Sequence, residues 1–136
     1  MGELREGGCQ CGGIRYRIND EVSRVAICHC SECQRQSGSA FGMSLPVAKN
    51  KLEVRGTLKT FTRSADSGRK LVCAFCPDCG TRIYHEPGYA QGIVNIKPGT
   101  LDDTSLLRPT IEVWAERKHA WVTLASEIAS HSKQPW

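Results

Sequence analysis

The chain has 136 residues, the length of one domain, and we predict a single domain over residues 1–136. Hydrophobic and charged fractions of 40% and 24% are those of a globular protein and argue against disorder. The net charge of +4 does not indicate a nucleic-acid partner, because Arg69-Lys70 and Arg117-Lys118 are only pairs. No stretch approaches the roughly 20 apolar residues of a membrane helix, and Met1–Glu6 lacks the apolar run of a signal peptide. We therefore expect a soluble, cytoplasmic protein that does not bind membranes.

Short runs of apolar residues predict a mainly β protein. Ile14, Tyr16 and Ile18 alternate with polar residues, as in a half-buried strand. Asn50 and Gly56 are turn residues between later runs. The other predicted strands are Val22 to Ile27, Met43 to Val47, Leu52 to Val54, Leu58 to Thr62, Leu71 to Phe75, Ile83 to His85, Ile93 to Ile96 and Ile111 to Ala115.

Helix is predicted in two short turns only. Ser31 to Gln36 forms the first, with Ser31 as its N-cap, and Leu101 to Leu107 forms the second. We expect His131 to Trp136 at the end of the sequence to be loose.

The eight cysteines favour metal binding over disulfides. Cysteines close together in sequence rarely pair with one another, and a reducing cytosol keeps thiols reduced. Seven thiolates binding two Zn²⁺ ions would also lower the net charge from +4 to about +1, since seven charges are lost and four gained. The cysteines form three groups: Cys9-x-Cys11, Cys28-x-Cys30-x-x-Cys33 and Cys73-x-x-Cys76-x-x-Cys79.

Cys76-Pro77-Asp78-Cys79-Gly80 is the strongest local motif. Two cysteines separated by two residues can bind one ion across a tight turn, for which Pro77 presets φ and Gly80 tolerates a positive φ. Such a turn supplies half of a tetrahedral four-cysteine site. Cys9 and Cys11 are the natural other half, because residues i and i+2 of an extended segment face the same side. A site of this kind would be closed and structural.

Cys28, Cys30 and Cys33 then form a separate cluster of three thiols. Three protein ligands leave a fourth position open, which distinguishes a catalytic zinc from a structural one. Spacing alone leaves alternatives. Cys28 and Cys33 could instead complete the Cys76 turn, or Cys73 could close the cluster; we favour Cys73 as a small buried apolar side chain.

The histidines are weaker candidates. In an extended backbone the side chain of His29 points away from Cys28 and Cys30, so we expect it to support the ligands by hydrogen bonding or to line a pocket. His85 fits a structural or solvated role, and His119 and His131 have no informative context.

These motifs resemble the family of glutathione-dependent formaldehyde-activating enzymes, also called the centromere-protein-V-like domain family. The resemblance covers nearly the whole chain, and its specificity lies in the ordered set of cysteine motifs. The matching segments are residues 8–12, 28–41, 75–81 and 99–103, with Pro109, Trp114 and Trp121.

The resemblance implies a β-tent fold of short antiparallel sheets with two zinc sites. Cys9, Cys11, Cys76 and Cys79 would hold a structural zinc, and Cys28, Cys30 and Cys33 a catalytic one. The implied activity is a carbon–sulfur lyase of the S-(hydroxymethyl)glutathione synthase type, which adds the glutathione thiol to formaldehyde. Cys73 falls outside the implied ligand set.

A three-cysteine zinc suits this chemistry, either by holding the thiol as a thiolate or as a Lewis acid on the aldehyde, and we favour the first. Glutathione carries two carboxylates, for which Arg35 is the best cationic candidate because it lies just beyond Cys33. The other candidates are Arg63, Arg69, Lys70 and Arg82.

Two hypotheses of other classes compete with the lyase. One is a non-catalytic zinc module that binds glutathione or a macromolecular partner. The other is a sensor whose three-cysteine cluster releases zinc on oxidation. Because the chain is close to the minimal domain of this family, a thiol adduct other than that of glutathione and formaldehyde is a further alternative. Nothing in the sequence specifies the oligomeric state.

Overall fold

The structure is a computed structural model that describes residues 4–21, 24–65, 68–105 and 107–136. In these residues the chain is mainly β, with small, mostly antiparallel sheets, as predicted. It divides into two compact units: the first is Met1–Val22 with Leu45–Leu106, and the second is Ser23–Ser44 with Leu107–Trp136. No helix of the described part has the length and apolarity needed to cross a membrane.

The elements are short and are numbered in chain order. The strands are β1 (Leu4–Gly8), β2 (Arg15–Asn19), β3 (Ala26–Cys28), β4 (Gly42–Ala48), β5 (Leu52–Arg55), β6 (Lys59–Ser64), β7 (Lys70–Phe75), β8 (Arg82–Pro87), β9 (Ile93–Ile96), β10 (Ile111–Val113) and β11 (Ala129–Ser130). The helix is α1 (Ser31–Ser37), and 3-10 turns occupy Lys49–Lys51, Pro98–Thr100 and Ala115–Arg117.

Two antiparallel sheets build the first unit. One has the order β1-β2-β5, and the other runs from the Leu45–Ala48 part of β4 through β9, β8 and β7 to β6. The alternation predicted for β2 is present, since Tyr16 and Ile18 are buried and Arg17 is exposed. The core of this unit includes Leu45, Val47, Ile83, Val94 and Ile96.

The second unit is smaller and contains parallel pairings. β3 pairs in parallel with β10, which pairs in parallel with β11, and the other edge of β3 meets Gly42–Ser44 of β4 in antiparallel register. Its buried apolar side chains are few; they are Val25, Ala26, Ile27, Val113 and Val122. A core of this size gives limited stability by itself, so additional cross-links are expected to matter here.

Four expectations need correction. The last predicted strand stops at Val113, because Trp114 has φ 56° and ψ 38°, a left-handed conformation that ends the strand. The N-cap of α1 is Cys30 rather than Ser31. The predicted turn from Leu101 to Leu107 is not helical in its described residues, since the helical turn lies earlier, at Pro98–Thr100; Leu106 lies outside the described residues.

The fourth correction concerns the C-terminal segment. His131 donates its N–H to the carbonyl of Glu112 and accepts from Ala115, each at 3.0 Å, so its backbone is held rather than loose. Trp136 packs against the guanidinium of Arg24, 4.6 Å from the ring centroid. Of the predicted strand from residue 22 to 27, residues 22 and 23 lie outside the described part.

Gly7 is the most constrained position of the first unit. It lies opposite buried Tyr16, whose hydroxyl bonds the Thr100 hydroxyl at 2.7 Å. A Cβ on residue 7 would overlap both the Tyr16 hydroxyl and the Thr100 carbonyl. We therefore expect Gly7→Ala to lower the free energy of unfolding by about 2 kcal/mol through overpacking.

Urea unfolding of the zinc-loaded protein measures this loss. Gly99→Ala is the control, because nothing lies within 4 Å of a Cβ added there. Equal stability of the two variants would contradict the close approach at Gly7.

Candidate metal centres

A tight turn after β7 brings two thiols of the first unit together. The N–H of Gly80 donates to the carbonyl of Cys76, and the N–H of Cys76 donates to the carbonyl of Thr81, both at 2.9 Å. Gly80 has φ 81°, a conformation that glycine adopts without strain, as the motif predicted. The turn directs Cys76 and Cys79 into one cluster.

The turn between β1 and β2 supplies the other two thiols of that cluster. The N–H of Ile14 donates to the Cys9 sulfur at 3.2 Å, and the N–H of Gly13 donates to the Cys11 sulfur at 3.4 Å. Backbone donors of this kind stabilise sulfur in its thiolate form. The segment is also tied to the first turn, since the N–H of Gln10 donates to the Thr81 hydroxyl at 3.3 Å.

The four-thiol cluster has the dimensions of a tetrahedral metal site. Its four sulfurs lie within 4.8 Å of one another. The Cys9–Cys11 and Cys11–Cys76 sulfurs are 3.5 and 3.7 Å apart. Four sulfurs at the usual Zn–S distance of about 2.3 Å would be about 3.8 Å apart. Four thiols at this spacing fit Zn²⁺ without further ligands.

The thiols of this cluster share their protons unequally. A hydrogen bond from the Thr81 hydroxyl lowers the pKa of Cys79 to about 5. The pKa of Cys11 is raised to about 12, because the bond from Gly13 is outweighed by the neighbouring sulfurs of Cys9 and Cys76. If the last thiol of the cluster lost its proton, neighbouring thiolates would repel one another. A bound cation offsets this repulsion.

The second cluster lies where β3 leads into α1. Cys28 is the last residue of β3, Cys30 caps α1, and Cys33 lies in its first turn. The Cys30 sulfur accepts the backbone N–H of Cys33 at 3.3 Å, which explains why Cys30 rather than Ser31 is the cap. All three sulfurs lie within 4.8 Å of one another.

Proton sharing is stronger among these three thiols. Hydrogen bonds from Cys28 and Cys33 lower the pKa of Cys30 to about 2, whereas hydrogen bonding to Cys30 raises the pKa of Cys28 to about 11. The pKa of Cys33 is raised far above its ordinary value, first by hydrogen bonding to Cys28. The Cys30 thiolate is therefore stabilised by the S–H groups of Cys28 and Cys33. A metal ion that displaces these protons can stabilise all three sulfurs as thiolates.

The structure separates the alternatives that spacing left open. Cys28 and Cys33 cluster with Cys30, and the Cys76 turn clusters with Cys9 and Cys11. Cys73 belongs to neither cluster and is buried in β7, as favoured from the sequence. In the described part of the chain, no histidine or carboxylate joins the three thiols.

His29 does not join the three-thiol cluster, and its ring lies beside Glu112 of β10. It is 0% exposed, and its Nε2 lies 3.2 Å from Oε1 of buried Glu112, a close polar contact without a formed hydrogen bond. Burial lowers the pKa of His29 although the carboxylate of Glu112 opposes that shift, and Nζ of Lys118 lies 3.3 Å from the same carboxylate. The backbone N–H of His29 also donates to the carbonyl of Val113 at 3.1 Å.

A second contact holds the cysteine segment from α1. The side-chain amide of Gln34 donates to the carbonyl of His29 at 2.8 Å, and its oxygen bonds Nε2 of His119 at 2.9 Å. Arg35, the predicted substrate contact, is exposed and lines a groove beside His119. The segment from Glu112 to His119 thus contacts two residues adjacent in sequence to the thiols, His29 and Gln34.

Sequence reasoning missed Glu112 and His119. Glu112 lies between the apolar residues Ile111 and Val113 in a short strand, and this pattern alone does not predict its burial. His119 lies 85 residues from Gln34, so no local pattern connects the two. The acid at position 112 within a run of strand residues was the one available indication, because a charged residue there needs a partner.

Fold and clusters together define a mainly β protein with two cysteine-rich centres that could each hold a metal ion. The family model for the glutathione-dependent formaldehyde-activating enzyme matches residues 4–117. The chain therefore belongs to the glutathione-dependent formaldehyde-activating enzyme family, and the resemblance predicted from its motifs is confirmed.

Comparison with other proteins supports the fold. No curated protein matches the chain significantly. The chain is similar to the crystal structure of a Rhodobacter sphaeroides protein, with 19% identity, a TM-score of 0.59, and coverage of 76% of this chain and 91% of that chain. At this identity the similarity concerns the fold alone.

Gly42 is expected to tune the three-thiol cluster. A Cβ at this position would lie 3.1 Å from the Cβ of Cys33 and 2.9 Å from Nε2 of Gln36. Gly42→Ala should displace Cys33 and weaken Zn²⁺ binding at this cluster about tenfold, since crowding of this kind costs about 1–3 kcal/mol. Competition with a chelator measures both sites, and the four-thiol cluster is the internal control. Unchanged affinity at both clusters would show that Gly42 does not constrain Cys33.

Glu112 should support the same cluster through His29. Glu112→Gln removes the buried charge that faces His29 and Lys118, and we expect zinc affinity at the three-thiol cluster to fall about tenfold or more. The control is Glu116→Gln, an exposed position of the same segment. Chelator competition and thermal unfolding measure the two effects; identical results for the two variants would contradict a supporting role.

Proposed function

We propose that this chain is a zinc-dependent carbon–sulfur lyase that acts on a thiol adduct, with glutathione and formaldehyde giving S-(hydroxymethyl)glutathione as the leading case. The observation that carries the proposal is the contrast between the two clusters. Four thiols complete one of them, whereas the other offers three and, within the described residues, no further side-chain ligand. The family to which the chain belongs supports the choice of glutathione and formaldehyde.

The ligand assignment follows the clusters. Cys9, Cys11, Cys76 and Cys79 would hold a structural zinc, and Cys28, Cys30 and Cys33 a catalytic zinc with one open position. A zinc ion in the second cluster would supply a cation at which a thiol can lose its proton near neutral pH. We also propose a cytoplasmic location, where the thiols stay reduced, and a single domain over residues 1–136.

The reaction needs little from the other side chains. A carbon–sulfur bond forms between the thiol and the aldehyde carbon, the carbon–oxygen π bond breaks, and the proton lost by sulfur ends on the new hydroxyl. The three cysteines hold the metal, and the contacts of His29 and Gln34 keep their segment in place. Arg35 is proposed to bind a carboxylate of the thiol.

Replacement of one ligand of the three-thiol cluster tests the role proposed for it. Cys33→Ser should lose one zinc per chain and reduce adduct formation to the rate in buffer, because the open site depends on all three sulfurs. Cys73→Ala, a buried cysteine outside both clusters, is the matched control and should keep two zinc ions and full activity. Adduct formation is followed by NMR with glutathione and formaldehyde.

X-ray absorption provides a second readout that does not depend on activity. The wild-type protein should show an average of about 3.5 sulfurs per zinc, since one site has four and the other three. Four sulfurs on both zinc ions would contradict the proposal. Adduct formation no faster than in buffer by a fully loaded protein would favour the non-catalytic zinc module.

A further inference from the structure

The pairing of β7 with β8 is irregular at one point of the first unit. Ala74 lies opposite Tyr84. The next residue of β7, Phe75, lies opposite Arg82, so β8 has one residue more than β7 here. Such a bulge re-aims side chains, and residues that lie directly opposite share one face of a sheet. Arg82 therefore lies on the face of Phe75 and not on that of Tyr84.

The bulge brings Arg82 against the ring of His85. His85 is 6% exposed, and its Nε2 lies 3.0 Å from Nη1 of Arg82. Because a guanidinium can only donate, Nε2 accepts this hydrogen bond. Burial, followed by the positive charge of Lys97, lowers the pKa of His85 to about 2, so the ring is neutral. The single ring proton is then on Nδ1.

Both side chains have hydrogen-bond donors that the described residues do not use. Nδ1 of His85 has no hydrogen-bond partner there and is not sealed from solvent. The guanidinium of Arg82 has no carboxylate within ion-pair distance in the same part of the chain. It donates to a neutral ring, which leaves its charge unbalanced and most of its N–H groups available. Two neighbouring side chains thus offer donors to a ligand and no free acceptor.

Lys97 adds a cation on one side of His85. Asn95 of β9 lies opposite His85, and Lys97 follows Asn95 by two positions. The N–H of Lys97 donates to the carbonyl of Ile83 at 2.9 Å, so this residue continues the pairing of β9 with β8. Side chains two positions apart in a strand share a face, which places Lys97 on the face of His85.

Arg63 adds a cation on the other side. Cys73 of β7 lies opposite His85, and Leu71 of the same strand lies opposite Arg63 of β6. Leu71 and Cys73 are two positions apart and share a face. Arg63 therefore also lies on the face of His85.

This face of strands β6 to β9 has no acid to balance its cations. Glu86 is the acid of these four strands, and it directly follows His85, so it lies on the opposite face. Its carboxylate pairs there with Nζ of Lys49 at 2.8 Å. Cations and a neutral donor that come from several strands suit an anion with oxygens in several directions, such as phosphate, better than a planar carboxylate.

We propose that Arg82 and His85 form a binding site for a phosphate group, with Lys97 and Arg63 as the surrounding charges. Arg82 donates through the N–H groups that His85 does not use, and His85 donates through its Nδ1–H. Inorganic phosphate and a phosphate monoester share this chemistry. The inference goes beyond the proposed function, because it involves neither cysteine cluster and no step of the lyase reaction.

Binding of inorganic phosphate to the zinc-loaded protein tests the site without turnover. Chloride keeps the ionic strength constant, and acetate is the comparison ligand. The readout is the pair of ring nitrogen NMR signals of His85, assigned with His85→Gln. In the free protein these signals should show the proton on Nδ1, because Nε2 accepts from Arg82.

Phosphate should shift the Nδ1 signal to saturation, and acetate should bind at least about tenfold more weakly. Arg82→Gln should weaken phosphate binding about tenfold or more, the size expected from loss of a charge-assisted hydrogen bond. Arg55→Gln is the matched control. It removes the same charge from an exposed position of β5, in the other sheet of this unit, and should bind phosphate like the wild type.

Glycerol phosphate distinguishes the two sources of the phosphate group. Binding that is tighter than that of inorganic phosphate and is weakened by Arg82→Gln would support a site for a monoester. Weaker binding than that of inorganic phosphate would support a site for the free anion.

Other results would overturn the inference. Equal phosphate affinity of the Arg82 and Arg55 variants, with both zinc ions retained, would exclude Arg82 as a ligand. A proton on Nε2 of His85, or an Nδ1 signal that phosphate leaves unchanged, would exclude His85. Equal binding of acetate would exclude a site for phosphate, and displacement of phosphate by S-methylglutathione would make the site part of thiol binding. None of these measurements involves turnover, so the site and the proposed lyase can fail separately.

Discussion

Crowding of thiols is the constraint around which both units are built. Seven cysteines are gathered into two clusters whose sulfurs lie within 4.8 Å of one another. Without a cation, a second thiolate at this distance would be repelled by the first, so some of the thiols keep their protons. The raised pKa of Cys11 and of Cys33 reflects this repulsion. A divalent cation turns the same crowding into a set of cross-links, and its binding energy then becomes folding energy.

The cross-links matter differently in the two units. In the first, the cluster joins the β1–β2 turn to the β7–β8 turn, and extended sheets already bury a sizeable core. In the second, few apolar side chains are buried, so a metal ion would supply a larger share of the stability. In the proposed assignment the open coordination position would lie in the unit with the smaller core, where Glu112 and Gln34 both contact His29, the residue between Cys28 and Cys30.

The elements that the sequence predicted correctly are those whose own residue pattern indicates burial or a turn. Alternation marked β2, and the Cys76–Gly80 motif marked a turn whose φ at Gly80 is positive. β1 was missed because its only buried position is Gly7, which is buried by the facing Tyr16 and not by its own side chain. The C-terminal segment was wrongly expected to be loose. The residues that bond the backbone of His131 lie in β10 and the turn after it, and no local sequence pattern reveals them.

The same distinction applies to the candidate site. Spacing favoured the grouping of the seven cysteines that the structure has but left alternatives open, because only the structure shows which two turns meet at the four-thiol cluster. The contacts that Glu112 and His119 make with His29 and Gln34 join parts of the chain that no local pattern links. Burial of an acid such as Glu112 becomes informative only once His29 and Lys118 are known to face it.

Residues 112–121 combine two roles that are usually separate. Glu112 and His119 hold the cysteine segment, and Trp121 stacks on His119 to form a wall of the groove. Gln34 bonds His119 through its amide oxygen and the carbonyl of His29 through its amide nitrogen, so one side chain links His119 to the residue between Cys28 and Cys30. The groove and the cysteine segment are thus connected through a single amide side chain.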